Sequence, residues 1–359
     1  MIRPNSYLEN LVREPQHFDK RAGVMRLDMN EYVPFPSQSL YEKWKEKMTD
    51  ETISAYPMVN NAYLAISKLT GLDDEKIVLT TGSDGVVLST LLAFCEPGDT
   101  IGMVAPTYGM YGVYANMLGL RTKEVTYDGF DLDYDGLINS ITPEIKVFLL
   151  ANPNGVVGED LPREVVLQLI KKANKCGTVL LLDEVYAAFE DRGKSRYEDL
   201  IDQYDNLVIA RSFSKSYGLA GLRAGYAIAC KKTRKYLLAV RPNVEINSAA
   251  VTAVNIWCEY PELLKEAVDE IVNSRNATAA FLEVKGIEVK NGSGNFILAK
   301  IPDEQVEALK NTFENEKIDV KWMVIQNENW IRITVATRTY MERFFEVMEN
   351  FLKWSGWRR

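Results

Sequence analysis

Histidine is almost missing from this chain: His17 is the single one in 359 residues. A Ser-His-Asp triad or an imidazole-rich metal centre would have to be built around it. It lies in a polar stretch, Arg13 to Arg21, where a solvated loop position accounts for it. Any enzymatic proton movement therefore falls to another residue type. Cysteine is also scarce. Cys95, Cys176, Cys230 and Cys258 form no C-x-x-C pair, which leaves no zinc site and fits the reduced thiols of a cytoplasmic protein. No apolar run approaches the roughly 20 residues of a membrane span. The polar N-terminus, Met1 to Gln16, carries no signal-peptide pattern. Basic excess is absent too. Lys plus Arg number 42 against 50 Asp plus Glu, for a net charge of −8, which leaves no basic face for nucleic acid.

What is present is ordinary for a soluble globular protein: 47% hydrophobic and 26% charged residues. The length predicts two domains at roughly 100–200 residues each. Seven short apolar runs recur, at 76–82, 100–106, 121–127, 147–153, 178–186, 206–214 and 224–230. Several are continuous rather than alternating, the pattern of strands buried on both faces. Helical patterns such as 84–96 and 162–176 separate most of them, so βα units and a mostly parallel sheet are expected. The run at 224–230 follows its predecessor without a crossover helix, which allows an antiparallel strand. After about residue 245 the texture changes. Helical patterns at 247–284 and 303–315 frame short strands at 295–301 and 330–336, with a closing helix at 338–354. The division read from this is an arm over 1–30, a large α/β domain over 31–245 and a smaller α+β domain over 246–359.

In such sheets ligands gather at the carboxyl ends of strands. The first run ends in Thr80-Thr81-Gly82-Ser83-Asp84-Gly85. A glycine turn and a helix N-terminus there suit an anion, and serve equally as plain turn and cap. The second run ends in Pro106-Thr107-Tyr108-Gly109-Met110-Tyr111, whose aromatics could stack on a planar ligand or fill core. The fifth ends in Asp183, Glu184 and Tyr186. A carboxylate after four apolar residues needs a cation nearby or a capping role. The sixth leads into Arg211-Ser212-Phe213-Ser214-Lys215-Ser216-Tyr217-Gly218-Leu219-Ala220-Gly221-Leu222-Arg223. Hydroxyls and an arginine suit a phosphate, and a desolvated Lys215 suits imine chemistry.

Together these segments resemble the fold-type I pyridoxal-phosphate enzymes, specifically the histidinol-phosphate aminotransferase group. The markers are N-E-Y (30–32), A-Y-P (55–57), T-T-G-S-D (80–84), P-T-Y-G-M-Y (106–111), N-P-N-G-V-V-G (152–158), D-E-V-Y (183–186), S-F-S-K-S-Y-G-L-A-G-L-R-A-G (212–225) and I-R-I-T (331–334). The resemblance implies a mostly parallel seven-stranded sheet sandwiched by helices, with a smaller C-terminal domain. It also implies pyridoxal 5′-phosphate as cofactor. Lys215 would carry the Schiff base and shuttle the substrate proton, Asp183 would face the pyridine nitrogen, and Tyr186 the ring oxygen. Tyr108 would stack on the ring. Gly82, Ser83, Asp84, Ser212, Ser214 and Arg223 would hold the phosphate. Tyr56 would reach the phosphate of a neighbouring subunit, since these sites lie at a homodimer interface. Arg332 matches the arginine that binds substrate carboxylate or phosphate. Tyr7, Asn30 and Glu31 are candidates for the substrate wall, and Asn295 matches an N-F pair in the family.

Three departures stand out. Gly155 occupies the place of an asparagine that bonds the ring oxygen, which leaves Asn154 or Asn152 to substitute. Gly85 replaces an acidic residue. Lys321 replaces a second substrate-binding arginine, keeping the charge without the bidentate fork. The activity implied is ping-pong transfer of an amino group between L-glutamate and a small phosphorylated carbonyl compound, imidazole-acetol phosphate or a smaller ketone. A phospho-amino-acid decarboxylase is the alternative within the same group, and a non-catalytic regulator or scaffold is the alternative outside it.

Overall fold

The structure, a computed structural model, describes residues 4–9, 11, 13, 21–191 and 197–354. His17 and the C-terminal Trp357-Arg358-Arg359 lie outside the described residues. Among the described residues twelve strands form two sheets. In chain order they are β1 (Met25–Leu27), β2 (Ile77–Thr80), β3 (Thr100–Ala105), β4 (Arg121–Thr126), β5 (Ile145–Ala151), β6 (Val179–Asp183), β7 (Leu207–Ser212), β8 (Gly225–Ile228), β9 (Val289–Lys290), β10 (Phe296–Ile301), β11 (Ile318–Ile325) and β12 (Glu328–Thr334).

The large sheet has seven strands in the order β2-β8-β7-β6-β5-β3-β4. The continuous apolar runs of β5, β6 and β7 follow from burial on both faces. Phe148, Leu150, Leu180, Leu182, Leu207 and Ile209 point into one apolar layer. Their neighbours Val147, Leu149, Val179, Leu181, Val208 and Ala210 point into the other. Each fully buried branched side chain contributes about 1.5–3 kcal/mol. Helix Arg163–Cys176 covers the first layer and ends on Gly177 at φ 71°. Helix Gly82–Phe94 packs in the second.

β8 runs antiparallel to both β2 and β7. Its beginning, not its end, therefore lies beside the carboxyl ends of the other strands. Arg223, two residues ahead of β8, is delivered there although it precedes its strand. The fit is close: a Cβ on Gly225 would stand 2.5 Å from the Gly82 backbone.

The small sheet has the order β1-β11-β12-β10-β9. β1 pairs in parallel with β11, and the other neighbours are antiparallel. Gln326 and Asn327 turn β11 into β12 with φ of 50° and 63°, the double positive φ of a tight hairpin. Met25 and Leu27 belong to the apolar cluster under this sheet. Residues Ala250 to Ile271 instead join the cluster of the large sheet. The single helical pattern expected over 247–284 is two helices, Ser248–Glu259 and Pro261–Val284. Pro261 has no N–H to extend the first, so it opens the second. Sequence periodicity missed β1, β9 and β11. β1 and β9 span 3 and 2 residues, and β11 has a single buried residue among half-buried and exposed ones. Among the described residues no helix is long and apolar enough to cross a membrane.

Candidate active site

Five carboxyl-terminal strand ends, those of β2, β3, β5, β6 and β7, meet the start of β8 and the face of the small sheet. Lys215 lies in the turn after β7, half-buried, and its Nζ donates to the Met29 carbonyl at 2.9 Å. The amine stands 5.9 Å from the centre of the Tyr186 ring. Asp183 ends β6 and is 5% exposed. Its Oδ2 accepts from the Tyr111 hydroxyl at 2.8 Å and its Oδ1 from the Val185 N–H at 3.2 Å. Burial raises the Asp183 carboxyl to about 6, against the opposing pull of the Tyr111 hydrogen bond. Burial first, and then the charge of Asp183, push the Tyr111 hydroxyl well above its ordinary value. Among the described residues no cation pairs with Asp183, whose partners are a phenol and a backbone N–H.

This coupling makes a prediction for the protein alone. The folded Asp183 holds its proton up to about 6, whereas an unfolded carboxylate releases it near 4. Between those values the folded state binds more protons, so this residue's contribution to stability falls as pH rises and levels off above about 6. Tyr111→Phe removes a hydrogen bond to the ionised form. The Asp183 midpoint is expected to rise in a carboxyl NMR titration. An unchanged or lower midpoint would show that the hydroxyl does not set the charge of Asp183.

The side expected to receive an anion is built from both flanks of β8. Gly82 begins its helix at φ 72°, and a Cβ there would meet Arg223 Nη2 at 3.0 Å. Ser83 and Asp84 form the first helical turn. Arg223, at φ 55°, donates to Asp84 Oδ2 at 3.1 Å, to Ser214 Oγ at 3.4 Å and to the Ala220 carbonyl at 3.2 Å. Ser212 Oγ accepts the Ser214 N–H at 3.0 Å, and both serines are buried. Tyr108, at the end of β3, donates to Asp84 Oδ1 at 2.8 Å and sets its ring edge-on to Tyr111. Ser212, Ser214, Lys215, Arg223, Gly82, Ser83, Asp84 and Tyr108 are thus one neighbourhood.

The opposite wall comes from the segment after β1, the loop after β5 and β12. Arg332 donates to the Gly155 carbonyl at 2.7 Å and the Asp28 carbonyl at 2.8 Å, and its guanidinium lies over Phe296. Its buried Nε has no hydrogen-bond partner. Burial lowers its basicity. Lys321 stands directly opposite Arg332 in the β11–β12 register, so both side chains lie on one face. Asn30, 1% exposed, donates from Nδ2 to the Tyr186 hydroxyl at 2.9 Å. The buried Asn295 donates to the Asn30 carbonyl at 3.1 Å. Glu31 is paired with Arg21 at 2.9 Å.

Gly155 is explained by packing. A Cβ there would stand 2.6 Å from the Tyr186 ring, and one on Gly294 would stand 3.2 Å from its other edge. The ring of Tyr186 occupies the space that a side chain at 155 would need. Neither neighbouring asparagine turns toward the ring. Asn154 donates to the Pro106 carbonyl and accepts from Val156 and Val157. Asn152 donates to Asp160 and accepts from Leu161. Their amides hold the loop.

Two expected residues lie elsewhere in the chain. The ring of Tyr7 lies against Gly119, at the amino end of β4 and so at the far edge of the sheet from Lys215. Tyr56 is 87% exposed, next to Ile53 and Met58 at 72% each. Sequence reasoning missed the roles of Tyr111 and Thr334. Both sit inside quoted motifs, and Tyr111 follows Tyr108 at a helical spacing of three, which could have marked it. Burial raises the thiols of Cys95 and Cys258 to about 12 and so disfavours their thiolates. Among the described residues no cluster of His, Cys, Asp and Glu is fit to hold a metal.

Comparison with known proteins identifies the family and the fold. The model of the family "Aminotransferase class I and II" matches residues 22–347. A histidinol-phosphate aminotransferase of Geotalea uraniireducens is 30% identical over 338 residues, covering 92% of this chain and 93% of that one. The enzyme of the same name from Ruminiclostridium cellulolyticum is 29% identical over 313 residues, covering 83% and 86%. The crystal structure of histidinol-phosphate aminotransferase from Sinorhizobium meliloti in complex with pyridoxal-5′-phosphate shares the fold, with a TM-score of 0.87, 23% identity and 98% coverage of both chains.

Proposed function

The chain belongs to the class I and II aminotransferases, and from that premise we propose what each part of its site does. The protein is a pyridoxal-phosphate-dependent aminotransferase. The donor set suits this cofactor. Lys215 offers an amine for an aldehyde, and Asp183 a desolvated carboxylate for a ring nitrogen. The Gly82 helix start, Ser212, Ser214 and Arg223 offer N–H, hydroxyl and guanidinium groups for a phosphate. The cradle has no room for a Cβ at Gly155 or Gly225, and Gly82 sits at a φ of 72° that side chains rarely adopt.

When bound, the cofactor supplies an electron sink for negative charge at the substrate Cα. Lys215 Nζ would take the Cα proton and return it, in a chain with a single histidine. Asp183 would offer its carboxylate to the ring nitrogen and favour its protonated form. Tyr186 would offer its hydroxyl to the cofactor's ring oxygen, and Tyr108 would pack against the ring. Arg332 and Lys321, side by side on one sheet face, receive the anionic ends of the substrate. Asn30 closes the wall between them and Tyr186.

The substrates we assign are L-glutamate as amino donor and a small phosphorylated carbonyl compound as acceptor. The paired cations of β11 and β12 and the names of the relatives support this. The exposed Tyr56, Ile53 and Met58 support a homodimer in which Tyr56 reaches the neighbour's phosphate site. The four free cysteines favour a reducing, cytoplasmic setting.

The single observation that carries this reading is the convergence of the Lys215 amine, the buried Asp183 carboxylate and the Arg223 cluster at one end of the large sheet. It is tested by a half-reaction screen. Cofactor-loaded protein is mixed with L-glutamate and with phosphorylated amines, and the loss of visible absorbance is recorded. L-Glutamate and at least one phosphorylated amine are expected to bleach it and leave the corresponding keto or carbonyl product. Release of carbon dioxide without that product would replace transamination by decarboxylation.

A further inference from the structure

Asn30 has more contacts than a passive wall needs. It sits at φ 53°, in the short segment that joins β1 to the large domain. Its backbone N–H donates to Thr334 Oγ1 at 2.9 Å. That bond occupies the hydroxyl oxygen as an acceptor, so the Thr334 proton points on to Asn30 Oδ1, 3.1 Å away. A side-chain oxygen receiving a proton on one side leaves the amide nitrogen facing the other. Nδ2 therefore donates to the Tyr186 oxygen at 2.9 Å. An amide nitrogen has no lone pair to accept with. The Tyr186 hydroxyl cannot return its proton to Asn30 and must direct it elsewhere. The ring is closely packed: a Cβ added at Gly155 would stand 2.6 Å from one edge and one at Gly294 3.2 Å from the other, and Phe296 lies edge-on with ring centres 5.8 Å apart. The charged groups facing Tyr186 are Lys215, from the turn after β7, and Arg332, from β12. Arg332 directs its own protons to the carbonyls of Gly155 and Asp28.

We propose that Asn30 is a positioning residue for Tyr186: a one-way chain of hydrogen bonds from Thr334 through the Asn30 amide aims the Tyr186 phenolic proton into the site. Because Thr334 ends β12, this chain also ties the aim of that proton to the seating of the small sheet. The inference rests on the reading of Tyr186 as donor to the cofactor's ring oxygen, and goes beyond the wall role given to Asn30 above.

The experiment is a pH titration of the visible absorbance of the cofactor-loaded protein in four variants. Tyr186→Phe removes the donor, which destabilises the anionic ring oxygen, so its midpoint is expected to rise by about one unit. Asn30→Asp keeps the shape and reverses the polarity. A carboxylate accepts the Tyr186 proton and withdraws it from the site, so the midpoint is expected to rise by a similar amount. The added negative charge alone would also raise it, so the double variant decides. With Tyr186→Phe in place, Asn30→Asp is expected to add only the smaller share that its charge supplies. A full additional shift in the double variant, or none in the single one, overturns the proposal. Thr334→Val keeps the volume and removes the proton that orients the amide. A smaller rise in the same direction is expected, and where Asn30→Asp fails to load cofactor this variant decides instead, an unchanged midpoint counting against the proposal. If Tyr186→Phe itself leaves the midpoint unmoved, the assignment of Tyr186 fails rather than the role of Asn30.

Discussion

Lys215→Ala is expected to lower turnover by about 10⁴-fold, since one substitution removes both the covalent anchor and the proton carrier. Borohydride should fix the cofactor to the wild-type chain, and peptide mapping should find the label on Lys215. The variant should bind cofactor reversibly and take no label. Its fold should survive. The side chain is half-buried and its recorded hydrogen bond goes to the Met29 carbonyl, a contact that contributes about 0.5–1.5 kcal/mol. A small free amine added to the assay should restore part of the proton transfer. Normal turnover in the variant, or label on another lysine, would remove the basis of the site assignment.

Asp183→Asn should lower kcat by about 10²- to 10³-fold, because an amide of the same shape carries no charge to hold the ring nitrogen protonated. The accompanying stability change distinguishes this from simple damage. The folded protein resists ionising Asp183 until about pH 6, so above that pH the wild-type protein carries a desolvated charge that disfavours the fold. Removing that charge should leave the thermal midpoint of the cofactor-free protein at pH 8 unchanged or higher. The counter-effect is the Tyr111 proton, which loses one carboxylate acceptor. A variant that is inactive and strongly destabilised would mark Asp183 as a packing residue. One that is active would remove it from the reaction.

The large sheet was legible because its strands obey one rule: residues buried on both faces are apolar without interruption, as in Leu180-Leu181-Leu182. The small sheet was harder. β12 was expected over 330–336 and spans Glu328–Thr334, but in its partner β11 Asp319 and Lys321 interrupt the apolar residues, and Val324 is exposed. β1 spans three residues, too few for any period to register, and its pairing with β11 is separated by nearly the whole chain. The site followed the same logic. Lys215, Asp183, Ser212 and Arg223 stand at strand boundaries and could be read in order. Gly155 was noticed as a departure, but its cause lies in the ring of Tyr186, thirty-one positions on, and steric occupancy has no signature along one dimension. Tyr7 was drawn to the substrate wall by resemblance, whereas the chain seats its ring on Gly119 at the other end of the sheet.

The aperiodic stretch after β1 carries a disproportionate share of the architecture. Within four positions, Asp28 and Met29 offer carbonyls to Arg332 and Lys215, Asn30 grips Tyr186 and Thr334, and Glu31 meets Arg21. A stretch that looks like a dispensable leader is the keystone between two lobes. Shortening the chain from its front, as is routine when tags are fused or crystallisation is attempted, would remove catalytic scaffolding along with what resembles slack.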